Sequence, residues 1–200
     1  MPRLRQVPRA EVTSDFVLAM YDFLFEGRDP VAEPGTADGT PGDWWTVMAL
    51  SPDVMEHAVG GFLLYQSPSR SLDPVLRELA QCRCGFAAGS QFVYSQHCHA
   101  LSELGVSAEK VAGVAVGPAA PCFDPTERLV LAYVDALVFD HGRVADGLFD
   151  DLAEALGDVA MLELTYITTL YLQHAVMARA LRTEFDDRPE TVVVVPKREP

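Results

Sequence analysis

Groups able to move protons lie on two neighbouring stretches of this chain. Ser90, Val93, Tyr94 and His97 recur at helical spacing. Seven residues at about 100° each return His97 to within about 20° of Ser90. Glu78 precedes Ser90 by twelve residues, and Gly89 breaks the apolar pattern between them. If the two segments fold back as a hairpin, Glu78 reaches the 90–97 face. A carboxylate, a hydroxyl, a phenol and an imidazole then converge, enough for general acid–base work. Ser90 would also start a helix, where free N–H groups and the dipole favour a negative partner. Each residue has a plainer reading: Ser90 as a helix cap, Glu78 as a surface glutamate paired with Arg77 or Arg83, His97 as a structural imidazole.

A second histidine sits on a later stripe of Ile167, Leu170, Tyr171, His174, Ala178 and Leu181. His174 is either a core imidazole or, with Tyr171, a second polar group in the pocket of His97. Arg179 and Arg182 could supply the cation that an acidic substrate needs. The four cysteines are Cys82, Cys84, Cys98 and Cys122. Cys82 and Cys84 point about 200° apart on a helix, which disfavours a bond between them. Cys82 lies on an apolar stripe and reads as core. Cys98 is rotated from His97 by about 100° and faces elsewhere. His97, Cys98 and His99 diverge for the same reason, and no zinc-type spacing occurs, so no metal is expected.

The elements that must hold these groups are nearly all helical. Thr13-Ser-Asp caps an amphipathic segment, and Trp44–Leu50 is a short helix. Ser51-Pro52-Asp53 opens another to about Tyr65. Asp73-Pro74 opens the helix bearing Glu78. Ser90 opens the one bearing His97, which Gly105 stops. Further helices are read from Ser107, over 124–140, over 144–156, and from Asp158 to about Phe185. The long stretch 27–43 is rich in Gly, Pro, Asp and Thr and reads as a loop. Residues 186–200 read as a C-terminal arm. One helical domain over 1–200 is the expected organisation.

The chain has 200 residues, with Lys+Arg 15 against Asp+Glu 29. A net charge of −14 argues against nucleic acid or an anionic membrane surface as partner. The apolar stretches 111–120 and 129–139 are too short and interrupted to span a bilayer. The N-terminal residues lack the apolar core of a secretory signal, so a cytoplasmic location is expected. Several helices are apolar on more than one face, which predicts a homo-oligomer, a dimer or higher.

The run Arg77-Glu-Leu-Ala…Gly89-Ser-Gln-Phe-Val-Tyr-Ser-Gln-His97…Leu104-Gly-Val-Ser-Ala-Glu-Lys-Val resembles the core of the carboxymuconolactone decarboxylase and alkylhydroperoxidase D-like superfamily. The peroxidase pattern there is Glu, eleven residues, Cys, two residues, Cys, three residues, His. Glu78 and His97 match it in register, whereas Ser90 and Val93 stand at the two cysteine positions. The resemblance covers about 70–115. It implies an all-α helical bundle that oligomerises through its helices. Without the Cys-x-x-Cys pair, the peroxidase mechanism of the family lacks its nucleophile and its resolving thiol.

The decarboxylase branch is similar in that respect. The resemblance therefore implies cofactor-independent acid–base chemistry, decarboxylation or isomerisation, on a small cyclic acid or lactone. His97 and Glu78 would be catalytic, with Ser90, Tyr94, His174 and Tyr171 binding substrate. Two other readings stay open: a peroxidase using thiols at other positions, Cys98 or Cys122, and a non-catalytic ligand-binding oligomer.

Overall fold

A computed structural model describes residues 1–37 and 40–183. They form two compact units, one of 1–67 with 178–183, the other of 68–177. No β-strand occurs among the described residues. The all-α class expected from the sequence is what the described residues show. The arm expected over 186–200 lies outside the described residues.

In the first unit, a 3₁₀ turn at Arg9–Glu11 precedes α1 (Asp15–Phe25). Ser14 caps α1 by accepting the Val17 N–H. Val17, Tyr21 and Phe25 fall one turn apart and are fully buried. The Tyr21 hydroxyl donates to the Val7 carbonyl at 2.9 Å. The loop read over 27–43 ends one residue early, because Asp43 already begins α2 (Asp43–Met48). Gly42 sets that boundary. Its φ of +85° is left-handed, and a Cβ there would lie 2.5 Å from the Phe25 ring. α3 (Pro52–Gln66) follows, with proline at its start.

The second unit holds α4 (Pro74–Ala87), α5 (Gln91–Glu103), α6 (Ala108–Val116), α7 (Pro125–Phe139), α8 (Asp146–Leu156) and most of α9 (Asp158–Leu181). α4 is its central helix. Residues 78–85 are all buried. Leu79 and Cys82 pack with Tyr94, Cys98, Leu101, Val114 and Leu131. Ala80 and Cys84 face the other way, onto Val130, Val134, Leu152 and Leu164. A helix enclosed on so many sides must pair its charges internally. Arg83 does so, with Nε and Nη2 donating to Asp135 at 2.6 and 2.9 Å and Nη1 to the carbonyls of Val114 and Ala115.

The start of α4 is fixed twice. The Asp73 carboxylate accepts the N–H groups of Val75 and Leu76. Glu163 of α9 accepts those of Ser71 and Leu72, at 2.8 and 2.9 Å, and pairs with Arg70. α7 opens with a reciprocal cap between Asp124 and Glu127, and Glu127 also binds Lys110 of α6.

Two boundaries in the second half of the chain also differ from the sequence reading. α8 begins at Asp146 rather than 144, after Ala145, which offers no side-chain cap. α9 ends at Leu181 rather than near Phe185. Arg182 turns left-handed at φ 58°, and the Thr183 N–H bonds back to the Ala178 carbonyl, a helix-closing motif.

Candidate active site

The hairpin forms as the Gly89 break predicts. α4 ends at Ala87, Gly89 takes φ +69°, and the Ser90 hydroxyl accepts the Val93 N–H at 3.3 Å to start α5. The returning helix can approach closely because Gly85 carries no side chain. A Cβ on it would lie 2.5 Å from the Tyr94 nitrogen.

This geometry brings Glu78 and His97 together. The Glu78 Oε2 lies 2.7 Å from the His97 Nδ1, and both residues are almost fully buried. The pairing of Glu78 with Arg77 is present as well, through Oε1 at 3.3 Å. One carboxylate thus sits between a guanidinium and an imidazole. A buried Glu–His contact of this length fixes the orientation of the ring. Arg83, the other cation considered for Glu78, is turned to Asp135 instead.

α9 closes over the pair. The Tyr171 ring meets His97 edge to face, with centroids 4.6 Å apart, and His174 lies 5.8 Å from Tyr171. Burial, with the Glu78 charge behind it, pushes the Tyr171 hydroxyl well above the usual tyrosine range. Burial lowers His174 to about 4, so its imidazole is neutral at pH 7. Of the two residues expected from the second histidine helix, Tyr171 stands against His97, and His174 stands against Tyr171. Arg179 and Arg182 belong to the first unit.

Ser90 and Tyr94 lie in the core of the hairpin. Ser90 is fully buried and occupied as a cap. Tyr94 is packed with Leu79, Cys82 and Cys98, with its ring 5.6 Å from that of Phe86. Helical spacing puts Tyr94 near His97 in angle, but the tight approach at Gly85 turns that side of α5 into the core.

Two groups escaped the sequence reading. Gln81 is fully buried one turn after Glu78, and neither end of its amide has a hydrogen-bond partner. The Thr168 hydroxyl, one turn before Tyr171, is buried in the same condition. Buried polar groups are normally satisfied. The arithmetic that paired Ser90 with His97 would have put Gln81 on the Glu78 face. Nothing in the sequence marks Thr168. Among the described residues no His, Cys, Asp and Glu cluster could hold a metal ion, and no helix is long and apolar enough to cross a membrane.

Residues 52–136 match the Carboxymuconolactone decarboxylase family. No curated protein is significantly similar in sequence. Several solved structures share the fold. The apo debrominase Bmp8 superposes with a TM-score of 0.68 at 17% identity, over 88% of each chain. An alkylhydroperoxidase AhpD core protein from Ralstonia eutropha, an uncharacterized peroxidase-related protein, gives 0.64 at 16% identity over 94% of each. A protein of unknown function from Agrobacterium tumefaciens, described as a candidate antioxidant defence protein AhpD, gives 0.63 at 20% identity, over 68% of this chain and 92% of that one.

Proposed function

We propose that this chain, a member of the carboxymuconolactone decarboxylase and alkylhydroperoxidase D-like superfamily, is an acid–base enzyme acting without a cofactor on a small cyclic acid or lactone. The observation that carries this reading is the buried Glu78–His97 contact at 2.7 Å. Nδ1 is committed to Glu78, so proton exchange with a substrate runs through Nε2. In a decarboxylation, the carbon–carboxylate bond breaks and its electron pair passes into the adjoining carbonyl as an enolate. His97 then returns a proton to carbon. In an isomerisation, the same imidazole removes one proton and restores it at another carbon.

The surroundings of the dyad suit a substrate with a carboxylate and an apolar ring. The Tyr171 ring supplies an apolar wall. Arg77, already drawn to Glu78, is the cation nearest in sequence for a carboxylate. The test is a panel of lactones, cyclic keto-acids and hydroperoxides, followed by loss of CO₂ or by solvent deuterium entering the product. Deuterium incorporation that disappears in His97→Gln supports the reading. Turnover of hydroperoxides alone overturns it.

We assign the partner as a second copy of the chain. α9 carries Val159, Leu162, Tyr166 and Val176, all exposed, at steps of three, four and ten residues along one side. An apolar stripe of this kind on an otherwise acidic chain favours self-association.

A further inference from the structure

α4 and α5 hold a second pair that takes no part in the proton chemistry. The Cys82 and Cys98 sulfurs are 3.3 Å apart, although sixteen residues separate them in sequence. Both are almost wholly buried, among Leu79, Tyr94, Leu101, Val114 and Leu131. The contact depends on the helix approach at Gly85. Gly85 lies three residues beyond Cys82, Tyr94 lies four before Cys98, and the two backbones touch there. Short side chains one turn further on therefore meet across the interface.

We propose that Cys82 and Cys98 are a redox-active dithiol that a hydroperoxide converts into an intramolecular disulfide joining α4 to α5. Three observations support this beyond the distance. First, the two thiols differ in character. The hydrogen bond from Cys82 draws Cys98 below the usual thiol range, while burial and the neighbouring sulfur push Cys82 well above it. One is suited to attack and the other to remain a thiol until needed. Second, the Tyr94 hydroxyl is fully buried without a well-formed hydrogen bond of its own, and it lies near enough to help hold Cys98 down. Third, the other two cysteines are not arranged this way. Cys84 donates to the Thr168 carbonyl and is pushed up to about 12 by burial. Cys122 is half-buried, its sulfur 3.9 Å from the Glu109 carbonyl.

The reaction balances with one hydroperoxide. The Cys98 thiolate attacks the terminal peroxide oxygen. An S–O bond forms, the O–O bond breaks, and the departing alkoxide takes a proton to leave as an alcohol. The Cys82 thiol then attacks the Cys98 sulfenic acid. The S–S bond forms, the S–O bond breaks, and water leaves with the Cys82 proton. An added dithiol reverses the product. The bond would join the helix carrying Glu78 to the helix carrying His97, and it does not depend on the acid–base reading.

The test is a peptide map of the intact protein. The reduced chain is treated with tert-butyl hydroperoxide, its remaining thiols are alkylated in denaturant, and it is digested with trypsin without reduction. The expected result is peptide 78–83 joined to peptide 84–110, with fragmentation placing the bond on Cys98 rather than Cys84. Two of the four thiols disappear, and dithiothreitol restores both. Cys84→Ser and Cys122→Ser keep the bond. Cys82→Ser abolishes it and leaves a Cys98 sulfenic acid that dimedone traps. A bond through Cys84 or Cys122 overturns the proposal. So does a wild-type protein whose methionines oxidise while Cys82 and Cys98 both stay alkylatable.

Discussion

The backbone nitrogen of Tyr94 stands where the side chain of residue 85 would be, at 2.5 Å from a Cβ built on Gly85. Neither helix can give way cheaply, since the obstructing atoms are main chain. Gly85→Ala should therefore lower stability by about 1–3 kcal/mol, the usual cost of overpacking, although alanine alone would favour the helix by up to about 1 kcal/mol. Urea unfolding measures the loss. A variant as stable as the wild type would show that α5 can move off α4 freely.

His97→Gln should leave the fold intact and reduce turnover by about a hundredfold or more, the usual share of a positioned acid or base. Glutamine has a similar reach and can still bond to Glu78. Glu78→Gln should cost less, because it removes charge and orientation rather than the transferring group. Steady-state kinetics on whichever panel compound is turned over, with circular dichroism as the folding control, checks both. An active His97→Gln enzyme ends the acid–base reading.

His174 makes stability depend on pH. Its folded pKa, about 4, lies below the ordinary 6.5, so the unfolded chain binds the additional proton between those values. Stability from keeping this ring neutral is complete above about pH 6.5 and declines as pH falls toward 4. The loss amounts to at most about 3 kcal/mol. Thermal melts at pH 7 and pH 4.5 should show a steeper decline for the wild type than for His174→Gln. Equal declines would mean that His174 stays solvated in the folded protein.

Light scattering should give a mass above the 21.8 kDa of one chain at micromolar concentration. Leu162→Glu, at a position 71% exposed on α9, should shift the mass toward the monomer without changing helix content. A wild-type protein that already runs as a monomer contradicts the self-association assigned to this face.

The helices and the Glu78–His97 contact were legible because both rest on local rules. Asp73, Ser90 and Asp124 are caps in sequence and in structure. One glycine break then leaves a hairpin as the route for bringing residue 78 to residue 97. The Cys82–Cys98 contact was not legible. It depends on which faces of α4 and α5 meet, and that is decided by the main-chain approach at Gly85 rather than by spacing along either helix. The burial of Tyr94 was hidden for the same reason. Its angle on α5 was right, but the face it occupies is the one pressed into the core. The end of α9 was misplaced because Arg182 adopts a left-handed conformation that glycine or asparagine would have announced.

The grip of Glu163 on Ser71 and Leu72 has a bearing on how the protein is made. The Glu78–His97 contact spans nineteen residues, whereas the Glu163 bonds to Ser71 and Leu72 span 92 and 91. A growing chain can close the first as soon as α5 has cleared the ribosome. The segment leading into α4 gains its Glu163 anchor only after α9 has been synthesised. At about 5–20 residues per second, the dyad hairpin waits several seconds with its Tyr171 wall missing and Leu72 uncovered. Through that interval the nascent protein presents an apolar α4 to its surroundings, and this is the stage at which a chaperone would be expected to hold it.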